Sequence, residues 1–246
     1  MLSRWNLLML SALCLGCVAD PKPKQVDEDP EPHASPIEEV SADEAAADEV
    51  FLVKFETSQG DFVMEVHPSW SPIGAAHFKE LVEDKFYDNC RFFRVLDGFM
   101  AQFGINGDPE MTKKWGKEIR DDKVRKSNSR GMVTYAKTGM PDSRSTQLFI
   151  NFGDNSQLDG QGFSPFARVI KGMSVVDQLY NGYGEGAPSG SGPDQGQIES
   201  KGNEYLIKNF PKLDYIKTAR IVASVEEEGA ATPPAEGQPA ETTPAQ

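Results

Sequence analysis

The sequence predicts a mainly β domain: a closed antiparallel β-barrel of about eight strands capped by two helices, with an extra helical insertion toward its C-terminal side. Three observations predict it. Short runs of alternating apolar residues recur between turn residues. Few stretches place apolar side chains on one face at helical spacing. The composition also breaks near residues 50 and 225, which sets a body of ordinary globular character between two polar flanks. Many strands with few helices are best closed into a barrel, which removes exposed sheet edges.

The elements follow in order. Phe51, Val53 and Phe55 alternate with Leu52, Lys54 and Glu56; Ser58-Gln59-Gly60-Asp61 reads as a turn, and Phe62, Met64 and Val66 alternate again, so a β-hairpin opens the body. Ser71 as N-cap and Pro72 at the first helical position start a helix. Its apolar face is Ala75, Phe78, Leu81 and Val82, and it runs to about Asp84. Cys90–Val95 is a strand, Asp97-Gly98 a tight turn, and the residues after it a second strand. Met132–Ala136, Leu148–Asn151 and Phe166–Ile170 are further strands. Ser174–Tyr180 reads as a short helix with Val175, Val176 and Leu179 inward. A glycine-rich loop covers 182–196, Gln197–Phe210 has helical character weakened by Gly202, and Tyr215–Val222 is the closing strand.

Charge divides the chain the same way. The net charge is −13 over 246 residues. Residues 18–50 carry 11 acidic and 2 basic side chains and 226–246 carry 5 acidic and none basic, whereas 51–225 hold 22 of each. A neutral body has no electrostatic footprint for nucleic acid. Segments 18–49 and 226–246 are rich in Pro, Ala and acid and almost empty of large apolar residues, so they cannot bury enough surface to offset ordering entropy. They are expected to be a disordered linker and a disordered tail around a folded domain at 50–225.

Residues 1–17 read as an export signal. Arg4 gives a positive start, and Trp5–Gly16 is an apolar run too short to span a bilayer. It ends in Gly16-Cys17, similar to the bacterial lipoprotein cleavage box, in which the Cys becomes the acylated N-terminus; Cys14 departs from that pattern. An ordinary secretory signal cut nearby is the competing reading. Cys17 is thus the expected lipidation site, and the protein is expected in the cell envelope or periplasm, tethered to a membrane. Val18, in place of an Asp, points to the outer membrane. With Cys14 removed and Cys17 acylated, Cys90 has no partner and reads as a small buried hydrophobe.

Several other signals carry no chemistry. Gly182-Tyr183-Gly184-Glu185-Gly186 lacks dinucleotide-binding spacing. His33, His67 and His77 share no metal-ligand spacing. Asp154–Gly160 begins like a calcium loop but fails at Gln157 and Leu158. No metal or other cofactor is expected. The basic stretch Lys113–Arg130 reads as a solvated surface loop.

The informative stretch is Phe92-Phe93-Arg94-Val95-Leu96-Asp97-Gly98-Phe99-Met100-Ala101-Gln102-Phe103-Gly104. Taken alone it is strand, turn and strand, with an arginine beside aromatic and thioether side chains. It resembles the cyclophilin family, whose hallmark is F-[HFY]-R-x-x-x-x-F-M-x-Q-x-G; Arg94, Phe99, Met100, Gln102 and Gly104 all fall in register. Met132–Lys137 is similar to the strand that frames that family's proline pocket, and Ser145–Ile150 to its S-x-Q-F-F-I strand. Leu158-Asp159-Gly160 is similar to its L-D-G, and Phe166–Met173 to its F-G-x-V-x-x-G-M. The resemblance covers roughly 51–180 and resumes at the last strand.

The resemblance implies a peptidyl-prolyl cis–trans isomerase. It implies Arg94 and Gln102 as catalytic residues, and Phe99, Met100, Ala136, Lys137, Gln147, Phe149, Gln157, Leu158 and Phe163 as the substrate-binding set. The partners would be Pro-containing polypeptide clients, and a monomer is expected. A non-catalytic module of the same fold, binding Pro-containing segments of envelope partners, is the alternative. The chain departs from better-known members at Gln157 (often Trp), at Phe163 (near the usual His or Tyr, after one extra residue), at Lys137 (Asn), and in a longer 182–212 segment. These departures bear on inhibitor binding and substrate preference more than on the reaction.

Overall fold

The computed structural model describes residues 49–225. The expected leader with Cys17, all but the last residue of the expected linker, and the expected tail lie outside the described residues.

The elements are β1 (Phe51–Thr57), β2 (Asp61–Val66), α1 (Pro72–Glu83), β3 (Arg94–Leu96), β4 (Met100–Phe103), α2 (Pro109–Trp115), β5 (Met132–Tyr135), β6 (Leu148–Asn151), a 3-10 turn (Ser156–Gln161), β7 (Pro165–Lys171), α3 (Met173–Val176), α4 (Gln195–Asn209) and β8 (Ile216–Val222). The eight strands form one antiparallel sheet in the order β3-β4-β6-β5-β7-β2-β1-β8.

The expected closure does not occur. Among the described residues no ladder joins the outer strands β3 and β8, so the sheet is an open half-barrel. Its edges meet through a single bridge, Arg91 to Tyr215, with Phe92 N–H donating to Asp214 O at 3.0 Å and Ile216 N–H to Cys90 O at 2.9 Å. The physical reason lies in the approach to β3. Lys85 and Asn89 both have positive φ, and the strand itself has only three residues. Asn89 N–H still donates to Ile216 O at 2.8 Å, but a three-residue β3 offers too few aligned N–H and C=O groups to extend these bonds into a ladder.

One apolar cluster fills the concave face. Phe55 stacks on Phe62 at 4.9 Å and meets Phe103 edge-on at 6.1 Å. The buried face of α1 is Gly74, Ala75, Phe78, Leu81 and Val82, and Phe78 packs on Phe166 at 5.0 Å. Cys90 is buried in this cluster, and burial pushes its thiol pKa well up. A second, smaller cluster joins Phe93 and Ile105 to Ile198, Leu206 and Leu213 of the 182–213 region and helps fasten the insertion to the half-barrel.

The helices differ in detail from the expectation. Pro72 does open α1, but Ser71 does not cap it with its side chain. Asp122 does so from the loop before β5, accepting from Ile73 N–H, Gly74 N–H and Ser71 Oγ–H. Helix α2 falls partly within the stretch read as a basic loop; Asp108 caps it and Pro109 opens it. α3 has four residues rather than seven. α4 is kinked at Gly202, with φ 55°, and a Cβ there would lie 2.0 Å from Gly107 O, so the kinked approach requires glycine.

Gly104, the last residue of the arginine motif, has φ 102°, and a Cβ on it would lie 2.4 Å from Thr146 O and 2.9 Å from Gln147 Cα. The end of β4 can therefore approach the segment carrying Gln147 only as glycine. Gly104→Ala should lower stability by about 1–3 kcal/mol or more, read as a fall in the denaturant midpoint. An unchanged midpoint would show that the two segments part at no cost.

Candidate active site

Period-two alternation decides which side chains build the site. On β4, Ala101 and Phe103 enter the core, so Met100 and Gln102 must face the other way. On β6, Leu148 and Ile150 enter the core and Phe149 faces out; on β5, Val133 and Tyr135 enter it and Thr134 faces out. Register then places Arg94 opposite Gln102 and Gln102 opposite Phe149. The outward side chains of three neighbouring strands thus meet on the convex face.

They line a cavity of about 380 Å³ with Arg94, Phe99, Met100, Gln102, Ala136, Lys137, Thr138, Ser143, Ser145, Gln147, Phe149, Leu158, Phe163 and Gln195. Every residue assigned to the catalytic or substrate-binding set from sequence lies in this lining except Gln157. Gln157 is exposed in the 3-10 turn, and its carbonyl accepts from Gln161 Nε2–H. The turn presents Leu158 to the cavity and leaves Gln157, its neighbour, at the solvent-facing edge.

A chain of polar contacts runs along one wall. Arg94 Nη1 donates to Gln102 Oε1 at 3.0 Å, and Gln102 Nε2 donates to Gln147 Oε1 at 2.8 Å. The guanidinium carbon sits 5.9 Å from the Phe99 ring centroid. Met100 and Phe149 are only 2% and 5% exposed, so the floor beside the arginine is apolar and packed. Phe149 meets Phe163 edge-on at 5.9 Å. Ala136 N–H donates to Gln147 O at 2.9 Å, which extends the β5–β6 pairing past the strand end.

The rim is tied down by polar residues, of which Ser127, Asn128, Asn155 and Asp121 were not assigned to the site from sequence. Asp159 accepts from Ser127 Oγ–H, Asn128 N–H and Asn128 Nδ2–H, and Asn128 Nδ2 also donates to Phe163 O. Burial works to raise the Asp159 carboxyl, but these hydrogen bonds outweigh it and hold the group below its usual range. Asn155 Nδ2 donates to Phe99 O at 2.8 Å. Lys137 Nζ pairs with Asp121 at 2.7 Å and lies 5.8 Å from the Phe163 ring. The insertion adds Gln195 to the lining and Glu185 to the far side of Arg94. Glu185 stands in the glycine-rich stretch that lacks nucleotide-binding spacing; its 91-residue separation from Arg94 leaves no local signal.

Among the described residues no group of three or more His, Cys, Asp or Glu could hold a metal. The arrangement offers hydrogen-bond donors beside an apolar cup, and no nucleophile next to a base. Such a site can bind a compact apolar ring and polarise an amide next to it.

The family model for cyclophilin type peptidyl-prolyl cis-trans isomerase/CLD matches residues 52–200. A peptidyl-prolyl cis-trans isomerase of Acinetobacter baylyi is 34% identical over 135 residues, covering 53% of this chain and 72% of that protein. Peptidyl-prolyl cis-trans isomerase B of Escherichia coli is 35% identical over 137 residues, covering 52% and 83%. In fold, the chain is similar to a cyclophilin type isomerase of Cryptosporidium parvum, with TM-score 0.54 and 22% identity over 71% of this chain and 99% of that one. With the sheet, the cavity and the matched segment in agreement, the chain belongs to the cyclophilin type peptidyl-prolyl cis-trans isomerase family.

Proposed function

We propose that the chain accelerates cis–trans isomerisation of X–Pro bonds in exported polypeptides, with Arg94 lowering the barrier. The carrying observation is the donor Arg94 Nη1, held by Gln102 beside the buried Met100 and the Phe149 ring.

The X–Pro amide has partial double-bond character, and rotating it costs about 18–20 kcal/mol. Uncatalysed exchange takes tens to hundreds of seconds. No bond is broken, so a catalyst needs only to bind the twisted amide better than the planar one. Twisting localises the lone pair on the proline nitrogen, and a guanidinium N–H aimed there stabilises the twisted state alone. Arg suits this because it stays protonated and presents a fixed fork of donors. Phe99, Met100, Phe149 and Leu158 form the cup for the ring. Gln102 orients Arg94 and is itself fixed by Gln147. The backbone at Ala136–Lys137 lies where the flanking peptide would run. One preorganised donor in a dry site is worth about 3–4 kcal/mol of barrier.

A lipid on Cys17 would hold the domain at the envelope surface, with 18–49 as tether. The support is the leader pattern ending in Gly16-Cys17 and the acidic, Pro-rich composition after it.

Two measurements test this. In a protease-coupled or exchange-NMR assay on an Ala-Pro peptide, Arg94→Ala should lower kcat/KM by at least about tenfold, and Arg94→Lys should not restore it, because Lys lacks the fork. A fully active Arg94→Ala protein would refute the mechanism. Separately, Cys17→Ser should move the protein from the membrane to the soluble fraction while Cys14→Ser leaves it in place. An unmodified mature N-terminus at another residue, seen by mass spectrometry, would replace the anchor with an ordinary secretory signal.

A further inference from the structure

The insertion reaches the arginine. Glu185 Oε1 accepts from Arg94 Nε at 2.6 Å and Oε2 accepts from Nη2 at 2.7 Å, a two-bond fork of the strongest kind a carboxylate makes with arginine. The remaining nitrogen, Nη1, faces Gln102 at 3.0 Å and the Met100 sulfur at 3.9 Å. Glu185 therefore grips one edge of the guanidinium and leaves Nη1 on the side of the cup. The Glu185 carboxylate bonds the Nε/Nη2 edge of the guanidinium and not Nη1, and Glu185 is not among the residues lining the cavity.

The loop is built to present this carboxylate. Gly186 N–H donates to Glu185 Oε1 at 2.9 Å, and Gly192 N–H donates to Glu185 O at 2.8 Å. A Cβ on Gly190 would lie 2.3 Å from Glu185 O, so the loop closes around Glu185 only with glycine there. Tyr183 anchors one side through edge-on contacts with Tyr180 at 5.1 Å and Phe210 at 5.0 Å. The chain beyond enters α4, whose Ile198 and Leu206 are buried against Phe93, the residue before Arg94. The Arg94 pair also holds the Glu185 carboxyl below its ordinary range, against the opposing effect of burial.

We infer that Glu185 is a positioning residue for the isomerisation: it locks the Arg94 fork so that Nη1 points at the bound X–Pro amide. The inference rests on the reading of Arg94 given above. A long arginine side chain, 22% exposed here, would otherwise sample solvent-facing rotamers, and a misplaced donor contributes little to a twisted amide. The pair is partly exposed, so its effect on global stability is small, which separates a catalytic loss from a folding loss.

The test uses the full chain and compares wild type, Glu185→Ala, Glu185→Gln, Arg94→Ala and the Arg94→Ala/Glu185→Ala double variant on an Ala-Pro peptide. Glu185→Ala should lower kcat roughly tenfold with KM within about twofold. Glu185→Gln, which keeps one acceptor, should fall between it and wild type. The double variant should equal Arg94→Ala, because the carboxylate acts only through the arginine. The ¹⁵N NMR signal of Arg94 Nε–H, slow to exchange in wild type, should exchange fast in Glu185→Ala while the melting temperature stays put. Wild-type or higher kcat in Glu185→Ala, a change in KM alone, or a double variant slower than Arg94→Ala overturns the inference; higher kcat would make Glu185 a brake. If Arg94→Ala is itself fully active, the Arg94 reading has failed; if Arg94→Ala is inactive and Glu185→Ala is not impaired, only the role of Glu185 has.

Discussion

Phe103 closes the inside of the sheet, and the orientation of the site follows from it. Its ring meets Phe55, Tyr87 and Phe92 at 6.1, 5.7 and 5.1 Å. Because a strand alternates its side chains, burying Phe103 and Ala101 obliges Met100 and Gln102 to face away from the core. A one-residue slip of β4 would turn Gln102 into an aromatic interior and Phe103 onto the cavity. The cost of an unpaired buried amide and a lost buried ring makes that slip prohibitive. Packing energy inside the half-barrel thus fixes polar geometry outside it.

Much of what steadies the cavity is polar and comes from far along the chain. Arg144, 1% exposed, sits between Asp121 and Asp122 and also donates to Arg120 O. Asp122 in turn caps α1, and Asp121 holds Lys137 at the cavity wall. Buried charges of this kind contribute little net stability against an apolar alternative, but removing one partner strands the other in a dry interior. The loop 117–125, the start of α1 and the edge of the cavity are therefore coupled through Arg144, Asp121, Asp122 and Lys137.

The insertion changes the electrostatics of the site without filling it. Its apolar residues pack on Phe93 and Ile105, its Gln195 joins the lining, and Glu185 balances the arginine charge. With its charge balanced and its fork held from behind, Arg94 exerts directional hydrogen bonding more than long-range attraction.

The sequence determined the parts of this protein that local physics governs. Period-two runs gave the eight strands and an apolar face gave α1, while the ordered string from Phe92 to Gly104 carried Arg94, Gln102, Phe99 and Met100, whose roles came from the resemblance to the cyclophilin family. The strands and the helix are legible because alternation and turn chemistry act over a few residues. The tertiary structure decided what depends on distant partners. The open edge between β3 and β8 follows from the shortness of β3, three residues after an approach bent at Lys85 and Asn89, which no periodicity announces. Asp122, fifty residues on, took the capping work read onto Ser71. Gln157 turned outward because the 3-10 turn presents only Leu158. Glu185 met Arg94 across 91 residues because two aromatic contacts and a tight glycine loop carried it there, and a pairing set by packing leaves no mark in the residues beside either partner.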